Sequence, residues 1–308
     1  MSGRQALVIR RAFRAVFVLW GTTTVVFFLL RLSGDPVPLL LPPDAGDAEI
    51  ARLRTILGLD QPIWTQYVIY LSSVLEGDFG RSLSFGRPAM EVVLERVQAT
   101  FELTILAITL AVLVALPVGI FGAVRSNTVP GELAMGLALI GQSMPIFFFG
   151  ILLILLFSAQ LQLLPIGGRG DWRHFIMPTF TLSLFTMASV ARLTRSSMLD
   201  VLGADYIRTA RAKGLPELRL VVRHALKNAA LPIVTLVGLQ FGALLGGAVV
   251  TETIFSWPGM GRLVVQAIET RDYPIVQAAV FLAAVWFVLV NLFVDIAYVY
   301  LDPRVKLA

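Results

Sequence analysis

The residue types that do covalent or metal chemistry are scarce in this chain of 308 residues and poorly placed for it. His174 and His224 stand far apart and there is no cysteine. The three or four convergent ligands of a zinc or two-metal centre are therefore lacking, and disulfide and thiolate chemistry are excluded. Ser143 lies between Gly141 and Pro145 in the manner of a buried nucleophile, yet no histidine or lysine occurs in any hydrophobic span to activate it. A phosphate-binding loop needs a lysine directly after a glycine, so that backbone amides and ammonium hold the phosphates together. The lysines are Lys213, Lys227 and Lys306, and none follows a glycine. Nucleotide, if it is used, is bound by a partner.

The segment 205–232, DYIRTARAKGLPELRLVVRHALKNAALP, is basic and rich in small residues. Its spacing predicts a short helix from Asp205 to Lys213 stopped by Gly214, and a second helix opened by Pro216. In the second helix Arg219, Arg223 and Lys227 recur at i, i+4 and i+8, leaving Leu218, Val221, Val222, Ala225 and Leu226 for the opposite face. In the first, Thr209, Ala210 and Ala212 are small enough to let another protein approach closely, while Arg208, Arg211 and Lys213 put charge on the rim. Two readings follow from these residues: a docking element for a cytoplasmic motor, or a basic loop that only fixes membrane topology.

The elements that must position this segment are membrane helices. The chain is 57% hydrophobic and 15% charged, with a mean hydropathy of +0.80, against roughly a quarter charged residues in a soluble domain. Six charge-free stretches, 15–30, 103–124, 133–156, 175–191, 229–251 and 274–294, approach the roughly 20 residues that cross a bilayer. The first lacks a small-x-small cleavage site and is expected to be retained. Placing the N-terminus inside puts the arginines before residue 15 (Arg4 among them), Arg125, the loop 196–228, Arg304 and Lys306 in the cytoplasm. Both termini are then cytoplasmic. The net charge of +5 is concentrated beside the spans, where lipid and topology account for it and nucleic acid does not. Asp295, late in the last span, reads as structural.

The predicted organisation is an N-terminal tail and first span (1–31), an external helical subdomain (32–97) and a five-helix core (98–308). Within the subdomain, Asp47 caps a helix with an apolar face at Ile50, Leu53 and Leu57 that stops at Gly58. Pro62 starts a second ending near Gly77, and Pro88 opens a third toward Leu103. Within the core, Gln142, Ser143, Gln240 and Gly242 are candidates for lining a pathway. Lipid exposure would leave the amides unsatisfied, whereas helix packing equally explains the glycines, Gly246 and Gly247 included. The loop holding Glu252, Phe255, Trp257 and Pro258 puts Phe255 and Trp257 at the outer surface and reads as an interfacial aromatic anchor.

The chain resembles the permease subunits of binding-protein-dependent ABC importers, in particular the dipeptide, oligopeptide and nickel class. The resemblance covers essentially all of it and rests on the basic loop, on Gly77-Asp78-Phe79-Gly80-Arg81-Ser82 with Thr100-Phe101-Glu102-Leu103-Thr104, and on the run from Glu252 to Gly261. It implies an all-α polytopic fold of the type I importer class, with six transmembrane helices and an external helical insertion, in a bacterial cytoplasmic membrane. It implies a coupling helix over Ala204, Asp205, Tyr206 and on to Gly214, seated in a groove of an ATPase. The broad family pattern is Glu-Ala-Ala, three residues, then Gly; here Arg208, Thr209 and Ala210 precede Gly214, so a glutamate contact does not carry over. The implied partners are a second homologous permease, two ATPase subunits or domains holding ATP and Mg, and a periplasmic or lipid-anchored binding protein. The resemblance also implies that the loop with Glu252, Phe255, Trp257 and Pro258 lies near the outer gate and the docked binding protein. Di- or oligopeptides are the expected cargo, with glutathione or a nickel chelate as alternatives; an ion-coupled carrier is the rival from another class, against which stands the absence of midplane charge.

Overall fold

The computed structural model describes residues 3–41 and 45–301, with side chains for 10–38, 41, 45–245 and 248–294. Expectations resting on Arg4, Gly246, Gly247, Asp295, Arg304 and Lys306 fall outside the described residues or side chains. Hydrocarbon offers the backbone no partner, so spans must close their hydrogen bonds internally. The described chain accordingly runs as helices: α1 (Gly3–Leu32), α2 (Val37–Leu40), α3 (Asp47–Ile56), α4 (Ile63–Leu75), α5 (Ala89–Val124), α6 (Val129–Ser143) and α7 (Ile146–Leu153). There follow α8 (Arg173–Leu202), α9 (Asp205–Ala212), α10 (Glu217–Arg219), α11 (Leu226–Gly247), α12 (Val249–Ile254), α13 (Met260–Glu269) and α14 (Tyr273–Leu301). Two π-helical stretches, Ile154–Gln160 and Leu220–Ala225, extend α7 and join α10 to α11.

Five helices are long and apolar enough to cross a bilayer, and α6 with α7 supplies a sixth crossing if its two arms form one span. Those arms meet at 99°, at the place where Gly141, Gln142, Ser143 and Pro145 interrupt the apolar run 133–156. Met144 precedes proline and is pushed to φ −101°, ψ 135°, and Pro145 itself is extended, so the helix cannot continue through them. The helix of the fifth span ends earlier than expected, at Gly247, because Ala248 at φ −70°, ψ 34° breaks it ahead of α12. Conversely, the second span reaches back to Ala89, making one helix of 36 residues.

α5 and α8 lie against each other along a seam of small residues. A Cβ at Gly119 would come within 2.6 Å of the Ala191 carbonyl oxygen and of Thr194 Cβ, and one at Gly122 within 2.7 Å of Met135 Cγ. Ala111, Ala115, Val190 and Ala191 fill the same contact. Close backbone approach of this kind substitutes for hydrophobic driving force between helices in lipid. On the other side α11 packs on α14, where Gly242 faces Phe287 and Val290.

The 32–97 region folds as helices, with two corrections at their starts. Gly46 rather than Asp47 is the cap of α3, and Pro62 and Pro88 stand just before α4 and α5 instead of inside them. Their stops are as expected: Gly58 and Gly77 take φ of +66° and +81°. α4 lies on α1 through Tyr70 stacked on Phe27, with Thr24 Oγ1 2.7 Å from Tyr67 Oη and Arg31 donating to Gln66 at 2.8 Å. The Gly77–Ser82 turn docks on the start of α14. Ser82 donates to the buried Asp272 carboxylate at 2.5 Å, the Ser84 amide donates to the same oxygen at 2.9 Å, and Phe79 packs on Phe281.

Replacing Gly119 by Ala places a methyl group against the α8 backbone. We expect a loss of about 1–3 kcal/mol, read as a lower midpoint of thermal unfolding in detergent. Gly136→Ala, where a Cβ would meet nothing within 4 Å, should leave the midpoint unchanged.

Candidate functional site

The α9 segment is a short helix lashed across the ends of three spans. Ala204 is its N-cap and Asp205 its first residue, placing an acid at the positive end of the helix dipole. Gly214, at φ +78°, ends it: its amide donates to the Arg211 carbonyl at 3.0 Å, and the Leu215 amide to the Ala210 carbonyl at 3.3 Å. These two bonds are the reciprocal pair that satisfies the last carbonyls of a helix whose next residue is left-handed.

One residue fixes the helix to the membrane core. Ile207 is fully buried, in a socket formed by Ala123 at the end of α5, Met198 near the end of α8, and Leu220, Val221, Ala225 and Ala229 on the α10–α11 segment. The sequence analysis did not single it out, although it is the one large aliphatic residue among the eight of α9. Tyr206 accepts from Asn228 at 2.8 Å and Arg211 donates to Glu217 at 2.8 Å, tying α9 to the helix that follows. Tyr206, Arg208, Thr209, Arg211, Ala212, Lys213 and Gly214 remain exposed, so an outward face of small and basic groups stands over a fixed base. Arg208 pairs at 3.5 Å with Asp205, and Arg211 pairs within the loop.

The opposite face of the second helix differs from expectation. Leu218 is 77% and Val222 54% exposed, while Leu220 is fully buried. The π-helical stretch adds residues per turn and brings Leu220 into the socket beside Val221 and Ala225, which the 3.6-residue period also selects, while Leu218 and Val222 turn outward.

At the other end of α5 lies a second cluster, built on a buried carboxylate. Glu252 is fully buried and accepts from Thr100 Oγ1 at 2.7 Å and the Arg262 amide at 3.0 Å. Thr100 Oγ1 in turn accepts from the Met260 amide at 2.8 Å. Burial lifts the Glu252 carboxyl above its ordinary range, opposed by the hydrogen bonds from Thr100 and from the amides of Arg262 and Gly261. Gly259 and Gly261 leave no room for a Cβ beside that carboxylate. Trp257, fully buried, donates Nε1–H to the Ala99 carbonyl at 2.9 Å and meets Phe175 edge to face at 4.7 Å.

This overturns a surface role for Glu252, Phe255 and Trp257. All three are interior, because the loop folds back onto α5 and the partners for its polar atoms come from residues 99 and 100. Pro258 alone of the four reaches an open cleft. Among the pathway candidates, Gly242 is buried at the α11–α14 contact and serves packing. Gln142 accepts a hydrogen bond from Arg192, Ser143 is exposed at the bend, and Gln240 is half-buried on α11. The structure joins Gln142 to Ser143 at the break and keeps Gln240 on a separate helix.

Residues 115–307 match the family described as binding-protein-dependent transport system inner membrane component, and residues 5–105 match the N-terminal part of such membrane components. The chain belongs to this family. It is 43% identical over 300 residues to the glutathione transport system permease protein GsiC of Escherichia coli K12, covering 97% of this chain and 98% of that one. It is 46% identical over 282 residues to the protein of the same name from Salmonella typhimurium LT2, covering 92% of each. Among solved structures, the inward-facing MetNI methionine ABC transporter aligns with a TM-score of 0.58 at 16% identity, over 69% of this chain and 97% of that one. The last likeness is one of fold. This permease is thus a multi-pass inner-membrane subunit of an ABC importer, of the type I fold.

Ile207→Ala empties the socket at a cost of about 2–5 kcal/mol, enough to release α9 locally. Hydrogen exchange should rise over residues 205–214 with α5 and α8 unchanged; uniform protection would show that other contacts hold the helix. Glu252→Gln turns an amide NH2 toward donors and is expected to cost about 1–3 kcal/mol, seen as a lower unfolding midpoint, whereas the exposed Glu76→Gln should be neutral.

Proposed function

We propose that this chain forms one half of a transmembrane pathway for short peptides, glutathione among them, driven by ATP and Mg held on two partner ATPase subunits. A second permease completes the pathway, and a binding protein delivers cargo to the outer face. The observation that carries the reading is α9: a helix whose one large aliphatic residue is sunk into a socket shared by three spans and whose outward face is exposed, small and basic. A loop that merely fixed topology would need the charge but not the socket. Residues 204–214 are the docking element for the ATPase, and movement imposed on α9 passes through Ile207 directly to α5, α8 and α11. The identity to glutathione permeases supports a peptide cargo. With α9 facing the cytoplasm, both termini are cytoplasmic and residues 32–97 external. The permease itself takes part in no covalent step.

The test is uptake by proteoliposomes containing the purified complex, with binding protein added on the outer side. Glutathione or a short peptide should accumulate only when ATP is enclosed; uptake driven by an ion gradient alone would refute the reading. In the same system Gly214→Val forces a β-branched residue to positive φ, at a cost of about 1–2 kcal/mol. The variant should insert normally but lose most cargo-stimulated ATPase activity. Undiminished stimulation would remove α9 from the coupling route.

A further inference from the structure

Beside the buried Glu252 cluster, on the same end of α5, an open cleft of 820 Å³ is lined by Glu102, Ile105, Leu106, Arg169, Phe175 and Pro258. Its volume lies within the roughly 300–1,000 Å³ of small-molecule sites. The polar part is a paired set of opposite charges: Arg169 Nη2 donates to Glu102 Oε1 at 2.7 Å and to Oε2 at 2.8 Å, with Nε on Oε2 at 3.1 Å. Gln98 donates to Glu102 at 2.9 Å. Glu95, Gln98 and Thr109 are exposed along the face of α5 that carries Glu102, a composition that hydrocarbon would penalise and a watery passage would not.

We propose that this cleft is a subsite for a zwitterionic peptide, in which Arg169 takes the peptide carboxylate and Glu102 its ammonium group. The proposal rests on the reading of the chain as a peptide permease and adds to it the residues that recognise the cargo. A half-exposed ion pair contributes little to stability, so exchanging it for two equivalent pairs with a zwitterion loses little. A ligand carrying one charge leaves the other protein charge without a partner, and that discriminates. One wall is rigid: Phe175 rests on Trp257, Pro258 follows it, and the Trp257 indole is bonded to α5. The other wall is the irregular loop that carries Arg169 between Gly168, at φ +86° and with its amide donating to the Phe255 carbonyl at 2.8 Å, and Gly170. Ile105 and Leu106 offer apolar surface for side chains without selecting among them.

The experiment measures ATP-driven uptake by the complete reconstituted complex, using glutathione and trialanine, each also as N-acetyl and C-terminal amide derivatives. In the native complex, masking either terminus should lower kcat/KM about tenfold, the scale of one lost charge-assisted contact. Arg169→Gln should lower uptake of the free peptide and abolish the penalty for the C-terminal amide only. Glu102→Gln should abolish the penalty for the N-acetyl derivative only. The double exchange E102R/R169E preserves an ion pair and should stay impaired. Recovery of native uptake by the exchange would make the pair a latch and overturn the subsite. So would variants that lose assembly with the second permease while keeping native discrimination. If the native complex carries neither peptide, the reading of the cargo as short peptides falls and the subsite with it; if it carries them and the variants discriminate as it does, only the subsite falls.

Discussion

The close contact between α5 and α8 sets the position of everything else in this permease. Gly119 lets α5 approach until the Ala191 backbone and Thr194 of α8 touch the helix surface itself, and Gly122 gives the same room to Met135 of α6. In lipid, where apolar side chains gain nothing by meeting one another, such contact is what gives two helices a single register. Each functional cluster is then assembled at one end of that pair. At one end Ala123 and Met198 form part of the Ile207 socket; at the other, Ala99, Thr100 and Leu103 stand with Leu182 and Phe175 around Trp257.

The two clusters are built on different physics. The Ile207 socket is apolar and depends on shape, so a helix is held without committing its polar surface. The Glu252 cluster is polar and interior, and depends on complete satisfaction. The carboxylate accepts from a hydroxyl and from backbone amides, and glycine at 259 and 261 lets the backbone come close enough to donate. A buried carboxylate with fewer donors would be a heavy liability. The run from Glu252 to Gly261 is therefore a folding unit whose outward product is the placement of Pro258 and Phe175 beside the cleft.

Much of this was legible in the chain. Apolar runs give the spans, and glycines at 58, 77 and 214 stop their helices because each adopts positive φ, which a Cβ disfavours. What escaped has local causes. Pro145 announces a break but not the 99° between its arms, of which α6 rests on α5 and α8 and α7 on α8 and α12. Leu218 and Val222 were assigned to the buried face because a 3.6-residue period was assumed across a π-helical stretch. Glu252 and Trp257 read as interfacial because an acid and an indole beside a span usually seek water; their partners, Thr100 and Ala99, lie some 150 residues earlier. Asp272 and the Gly77–Ser82 turn are another such distant pair.

One consequence follows from the continuity of α5. Thr100 and Ala123 belong to a single helix, and at 1.5 Å per residue they are about 35 Å apart. Pro117 stands between them, where a helix loses one of its internal hydrogen bonds. α5 is therefore a jointed connection rather than a rigid one. Its Ala123 end, beside Gly119 and Gly122, is clamped against neighbouring helices, and the joint lies between that clamp and the end that carries Glu102.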